Sequence, residues 1–128
     1  MKTGIVIVDH GSRSSESNQL LETIVRQFGA RFADEYDIVV PAHMELASPT
    51  IAEAYALAVK EGAEQVIVCP FFLGPGKHWR EDIPRLVAEA ASKFPNATFR
   101  ITHPLGVDNL MLDLINLRIG ETLAMEAV

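Results

Sequence analysis

Hydrophobic residues along this chain alternate between short continuous runs and longer stretches with helical spacing. The runs are rich in β-branched and aromatic residues, so they predict strands, at residues 4–8, 37–41, 65–72 and 98–102. After the first run, Leu20, Leu21, Ile24, Val25 and Phe28 recur at intervals of three and four, as in an amphipathic helix. The same succession recurs after each run. We therefore predict four strand–helix units with no linker between them.

Capping residues predict the C-terminus of the first helix and both termini of the second. Gly29 is expected to weaken or end the first helix, since glycine is common just beyond a helix C-terminus. Ser48 followed by Pro49 reads as an N-cap with proline at the first helical position of the second helix. That helix is expected to run to about Glu61 and to stop at Gly62.

The start of the third helix allows two interpretations. The helix includes residues 85–94, and Pro84 lies either in its first turn, with Asp82 as the cap, or at a kink in a helix that begins near His78. A fourth helix is expected to begin near Asp108.

The alternation of strands and helices predicts the fold class. Strands that are apolar on both faces are typical of a parallel sheet covered on two sides. Right-handed crossovers arrange four such units most simply as an α/β, flavodoxin-like, three-layer domain with a four-stranded parallel sheet in the order 2-1-3-4. At 128 residues we expect residues 1–128 to form one domain.

The last helix is unusually apolar. Seven of the ten residues at 110–119 are hydrophobic, and they surround most of the helix. A helix of this kind is buried on more than one side. We expect half of it to pack in the core and half to form a subunit interface; the alternative is a hydrophobic helix that faces solvent.

Charge and composition limit which binding partners and which cellular compartment are expected for this protein. The chain has 11 Lys and Arg against 17 Asp and Glu and no basic run, which argues against nucleic-acid binding. No apolar stretch approaches the roughly 18 residues of a membrane span, and the N-terminus does not resemble a signal peptide. Cys69 is the only cysteine, so no intrachain disulfide or cysteine-ligated cluster is expected. We therefore predict a cytoplasmic protein.

Candidate chemistry comes from the histidines, because each of them follows a predicted strand. They are His10, His43, His78 and His103. In a parallel sheet these positions share the carboxyl edge, where ligands bind at the point at which the strand order reverses. For the order 2-1-3-4 that point lies between the loops carrying His10 and His78, with Glu45 in a neighbouring loop. This set suits Fe(II), Co(II), Ni(II) or Zn(II), and neutral imidazole also accepts protons near pH 7.

Cationic and aromatic residues accompany these histidines. Arg13, Lys77 and Arg80 suit a ligand with several carboxylates, although a solvated rim is the alternative. Trp79 offers a flat apolar face to a planar ligand or anchors its own loop. Gly76 followed by Lys77 imitates the end of a phosphate-binding P-loop, but the earlier glycine is missing. Nucleotide-driven chemistry is therefore unsupported.

Three segments together resemble a known family. They read IVDHGSR at residues 7–13, PAHMELASP at 41–49 and PFFLGPGKHWREDIP at 70–84. They are similar to the small class II chelatases, the sirohydrochlorin chelatases, which insert Fe(II) or Co(II) into the tetrapyrrole sirohydrochlorin. Within that family, the sequences of these segments look most like those of plant and cyanobacterial ferrochelatases.

The resemblance implies a flavodoxin-like half-chelatase that forms a homodimer and needs no ATP. By resemblance, His10 and His78 handle the metal and the pyrrole protons with the help of Glu45. Candidates for substrate binding are Arg13, Lys77, Arg80, Ser12, Trp79 and His43. No permanent cofactor is expected, since the cysteine-rich extension of plant members is not matched here. The last loop also departs from the family, because Val107 and Asp108 stand where many members have Pro-His.

Two other classes compete with a chelatase. A non-catalytic metal or tetrapyrrole carrier would use the same cleft and would bind its ligand without turnover. A structural interaction module would leave the histidines at one sheet edge unexplained. The sequence does not separate iron, cobalt and nickel as the metal, because such sites select metals by geometry and supply more than by ligand type.

Overall fold

The computed structural model describes residues 1–74, 76 and 78–125, with the backbone alone at residues 78 and 79. All strands of the sheet run parallel, in the order β2-β1-β3-β4. They are β1 (Thr3–Asp9), β2 (Ile38–His43), β3 (Gln65–Pro70) and β4 (Thr98–Ile101). The predicted fold class and strand order are confirmed.

Helices follow each strand, as the pattern predicts. They are α1 (Ser15–Arg31), α2 (Ile51–Lys60), α3 (Ile83–Ala91) and α4 (Asn109–Ala124), and a π-helical turn (His78–Asp82) leads directly into α3. Among the described residues, no helix is long and apolar enough to cross a membrane.

Two predicted helix ends are wrong. Gly29 lies within α1 and does not end it; a Cβ built there would make only ordinary contact with Val39, at 3.8 Å. The N-cap of α2 is Thr50 rather than Ser48, since the Thr50 hydroxyl accepts a hydrogen bond from the Glu53 amide at 3.2 Å. The Glu53 carboxylate in turn accepts one from the Thr50 amide at 2.9 Å, which completes a capping box.

Pro84 combines features of both interpretations. It lies in the first turn of α3, but helical backbone already begins at His78. Asp82 occupies the cap position in helical conformation and makes no side-chain capping hydrogen bond. The third loop of the sheet edge therefore passes into α3 through a widened helical turn.

The core lies on both faces of β1. Residues 4–8 are all buried, as predicted. Val6 and Val8 pack with α2 and α3 on one face, while Ile5 and Ile7 pack with Leu21 and Val25 of α1 on the other. This central strand is the rigid base from which the first loop of the site projects.

The last helix differs from its prediction. None of the described residues of α4 is buried, so it contributes nothing to the core of this chain. As a result the α1 face of β3 is only partly covered: Ile67 and Cys69 stay half-buried, whereas Val66 and Val68 on the other face are buried. The expectation that each strand is buried on both faces is therefore wrong for β3, and it is also wrong for β4, in which no residue is buried.

Candidate functional site at the carboxyl edge of the sheet

The ends of β1 and β2 bring His10 and Glu45 together. Asp9 pairs with His43 in the last register position of the parallel ladder. The hydrogen bonding then continues beyond the strands, from the Met44 amide to the Asp9 carbonyl at 2.9 Å and from the Glu45 amide to the His10 carbonyl at 3.0 Å. An imidazole and a carboxylate are thereby fixed on adjacent backbones at the edge that the sequence selects.

Gly11 makes this close approach possible. Its φ of +86° lies in the left-handed region, and a Cβ added there would lie 1.8 Å from the Glu45 carbonyl oxygen. No side chain fits at that distance, so only glycine allows the loop after β1 to turn against the loop after β2. The position of Glu45 relative to His10 therefore depends on this residue.

The His10 ring stacks on Phe72, the second residue after β3. The ring centroids are 4.2 Å apart and the planes are 26° from parallel. Phe72 is itself buried, and the preceding amide, that of Phe71, donates to the Val8 carbonyl at 2.7 Å. The stack thus holds the imidazole between the loops of two neighbouring strands. Sequence reasoning missed Phe72 by placing it in the strand, although the order 2-1-3-4 puts the end of β3 beside His10.

The buried His43 pairs with the half-buried Asp9 beneath the edge. The His43 Nδ1 lies 2.6 Å from an Asp9 carboxylate oxygen, and the His43 side chain is 0% exposed. Its Nε2 is buried and has no hydrogen-bond partner among the described residues. Because β2 extends two residues further than predicted, His43 belongs to the strand and points into the protein. The burial argues against direct contact between His43 and a substrate.

Asn18 shapes the loop that carries Ser12 and Arg13. Its side chain accepts from the Ser12 amide at 3.0 Å and donates to the Ser12 carbonyl at 2.8 Å. The Ser12 hydroxyl accepts from the Ser14 amide at 3.0 Å, next to the exposed Arg13. Asn18 was not among the sequence candidates; a polar residue in the first turns of α1 is the only signal that could have found it.

Several candidates of the third loop lie outside the described residues. These are Lys77 altogether and the side chains of His78 and Trp79. The His78 backbone opens the π-helical turn, and the Arg80 amide donates to the Gly76 carbonyl at 3.2 Å. The Arg80 side chain is exposed. Within the part of the chain that the structure describes, no three His, Cys, Asp or Glu side chains lie close enough to hold a metal ion.

Exposed apolar side chains occur in the loops of the same edge. Leu46 follows Glu45 and is 58% exposed, and Leu73 follows Phe72 and is 66% exposed. Leu105 belongs to the last loop, and its amide donates to the Phe72 carbonyl at 2.9 Å. The exposed His103 lies in that loop as well. The edge thus combines imidazole, carboxylate, guanidinium and apolar groups, which suits a large ligand with both an apolar ring system and acidic substituents.

Comparisons with known proteins agree with this chemistry. The family model described as CbiX matches residues 4–122. A chloroplastic sirohydrochlorin ferrochelatase of Arabidopsis thaliana is 53% identical over 94% of this chain and 53% of its own length. A sirohydrochlorin cobaltochelatase of Priestia megaterium is 29% identical over 92% of this chain and 38% of its own.

A solved structure supports the fold match. SirB from Bacillus subtilis, determined with Fe3+, superposes with a TM-score of 0.86 at 26% identity, over 98% of this chain and 49% of that one. The chain therefore spans about half the length, or less, of these relatives.

Proposed function

Because this chain belongs to the CbiX family, we propose that it is a sirohydrochlorin chelatase that inserts Fe2+ into the tetrapyrrole to give siroheme. The observation that carries the proposal is the pairing of His10 and Glu45 at the sheet edge, through the hydrogen bond between their backbones. Similarity to a plant protein named as a sirohydrochlorin ferrochelatase supports iron as the metal.

The reaction requires a base and a metal ligand on one side of the ring. One divalent ion enters, two pyrrole N–H bonds break, and two protons leave, so the charge balances without ATP or a permanent cofactor. In our proposal His10 and His78 bind the incoming metal, which is a substrate, or accept the protons. Glu45 assists from the adjacent strand end, where a carboxylate suits a divalent cation.

The first and third loops would bind the rest of the tetrapyrrole. We assign Arg13, Lys77 and Arg80 to the ring carboxylates, because guanidinium and ammonium groups form charge-assisted hydrogen bonds with them. Ser12 and Trp79 are further contacts in this proposal. We do not retain His43 as a substrate contact, since it is buried against Asp9.

Cobalt is the second candidate metal and nickel the third. The cobaltochelatase named among the relatives supports Co2+ as an alternative, which would direct the product towards cobalamin instead of siroheme. Imidazole and carboxylate bind all three ions, so geometry and cellular supply decide among them.

The assembly belongs to the proposal as well. We take residues 1–128 as one chelatase domain that acts as a homodimer, because α4 exposes apolar side chains that a partner would cover. The cytoplasm remains our prediction for its location; the Arabidopsis relative is named as chloroplastic.

An anaerobic absorbance time course tests this function. Purified protein, present at far below one equivalent, is mixed with sirohydrochlorin and Fe(II), and then with Co(II) in a parallel reaction. We expect many turnovers above the spontaneous rate, faster with iron. A spectral change that saturates at one equivalent would identify a carrier instead, and no change at all would leave the chain without a role in tetrapyrrole chemistry.

A further inference from the structure

Leu46 holds a backbone conformation that leucine rarely adopts. Its φ is +70°, and among the residues that the structure describes it is the only one besides glycines with a positive φ. In this left-handed region the Cβ crowds the following carbonyl oxygen, so the conformation is strained for a leucine. Glycine would avoid this strain. The leucine side chain therefore needs an explanation that the fold of its own loop does not give.

Hydrogen bonds at both ends of the loop hold Leu46 in this conformation. On one side, the Glu45 amide donates to the His10 carbonyl at 3.0 Å. On the other side, the Pro49 carbonyl accepts from the His43 amide at 2.8 Å, so the chain returns to the end of β2 within a few residues. Strained residues persist where the surrounding structure fixes them, and they concentrate at functional sites.

Packing within this chain does not offset the strain. The Leu46 side chain is 58% exposed and follows the exposed carboxylate of Glu45. An apolar side chain gains free energy only from the surface that it removes from water. More than half of that gain is therefore still available to a ligand that covers Leu46.

Exposed leucines lie on both sides of His10 along the sheet edge. Leu46 follows β2, whereas Leu73 and Leu105 follow β3 and β4, and β1 with His10 after it lies between β2 and β3. Neighbouring strands are about 4.8 Å apart, so the ends of β2 and β3 are separated by about 10 Å. A tetrapyrrole whose centre lies over His10 is wide enough to reach Leu46.

We propose that Leu46 is a substrate-binding residue whose side chain packs against the apolar macrocycle of the tetrapyrrole, beside Glu45. The inference rests on the proposed function for the identity of this ligand. Leu46 touches the ring and not the atoms that exchange protons and metal, so it stabilises the bound substrate and the transition state alike. Its loss should therefore raise KM and leave kcat nearly unchanged.

Two substitutions separate the backbone strain from the side chain. Leu46→Gly and Leu46→Ala both remove the exposed side chain, but only glycine relieves the left-handed strain. At an ordinary position alanine is the more stabilising of the two. Here we expect the reverse, with a urea midpoint for Leu46→Gly about 0.2–0.5 M above that of Leu46→Ala. A higher midpoint for Leu46→Ala would overturn the strain on which the inference depends.

Binding of metal-free sirohydrochlorin measures the contact itself. Anaerobic equilibrium dialysis without any metal ion excludes turnover, so the affinity is read independently of insertion. We expect both Leu46 variants to bind about 5- to 10-fold more weakly than the wild type, since the ring buries the exposed part of a leucine side chain. The matched control is Leu57→Ala, which shortens a leucine that is 42% exposed in the second half of α2 and should keep the wild-type affinity.

The outcomes separate this contact from the proposed function. Wild-type affinity in both Leu46 variants would overturn the contact and leave the chelatase standing. In insertion assays, a lower kcat at unchanged KM would place Leu46 among the groups that act on the reacting atoms and would also overturn its assignment. Wild-type protein that binds the ring through Leu46 without inserting metal would refute the chelatase and keep the contact, and no binding at all would refute both.

Discussion

Replacing Gly11 by alanine should distort the site and destabilise the protein. Alanine in the left-handed region costs about 1–2 kcal/mol. Its Cβ would lie 1.8 Å from the Glu45 carbonyl oxygen, so the two loops must separate. Losing the hydrogen bond from the Glu45 amide to the His10 carbonyl adds about 0.5–1.5 kcal/mol. We therefore expect the free energy of unfolding to fall by about 1.5–3.5 kcal/mol.

Urea unfolding at a fixed protein concentration measures this loss. With a slope of about 2 kcal/mol per molar urea, the midpoint should fall by about 1–2 M. Gly29→Ala is the matched control, because a Cβ there makes only ordinary contact with Val39 at 3.8 Å. Within α1 this change should stabilise the protein by up to about 1 kcal/mol. A Gly11→Ala midpoint equal to that of the wild type would refute the close approach of the two loops.

Three further predictions concern the residues that cap α2 and the pair of Asp9 and His43. Thr50→Ala should cost about 0.5–2 kcal/mol in urea unfolding because it removes the cap of α2, whereas Ser48→Ala should cost less; the reverse order would restore Ser48 as the cap. Hydrogen bonds, chiefly from the Thr50 amide, lower the pKa of Glu53 below its ordinary 4.5, so its charged form adds stability at neutral pH that is lost as the pH falls through 4.5 and below. The stability gap between wild type and Glu53→Gln should therefore narrow on acidification, and a constant gap would contradict this assignment. Asp9→Ala should cost about 1–3 kcal/mol by leaving the buried His43 without its carboxylate, and Asp9→Asn should cost less; equal midpoints for the two variants would show that the hydrogen bond contributes nothing.

Hydrophobic periodicity was enough to predict the sheet. The continuous apolar run at residues 4–8 identified a strand buried on both faces, and parallel crossovers then fixed the order β2-β1-β3-β4. Because loops after neighbouring parallel strands share one edge, the adjacency of His10 and Glu45 could also be expected. Strand ends were less predictable: the pairing of Asp9 with His43 extends β2 past Pro41 and turns His43 inward.

Local signals failed where tertiary contacts outweighed them. Ser48 and Pro49 have the residue types of a helix start, but the Pro49 carbonyl accepts from the His43 amide at 2.8 Å, which holds it at the strand end. Thr50 therefore becomes the N-cap of α2. Its hydroxyl accepts from the Glu53 amide, and the Glu53 carboxylate accepts from the Thr50 amide. The pattern of α4 predicted burial on more than one side, but none of the described residues of this helix is buried, because periodicity carries no information about which surface covers a helix.

The most direct test of the proposed site compares metal insertion by His10→Ala and His103→Ala with that of the wild type. Both side chains are exposed at the same sheet edge, but only His10 stacks on Phe72 beside the loop of Glu45. Since a positioned acid–base group contributes about 100- to 10,000-fold, we expect His10→Ala to lose at least about 100-fold in turnover while circular dichroism shows an unchanged fold. His103→Ala should stay close to the wild-type rate. Near-normal insertion by folded His10→Ala would contradict the assignment of this edge as the chelatase site.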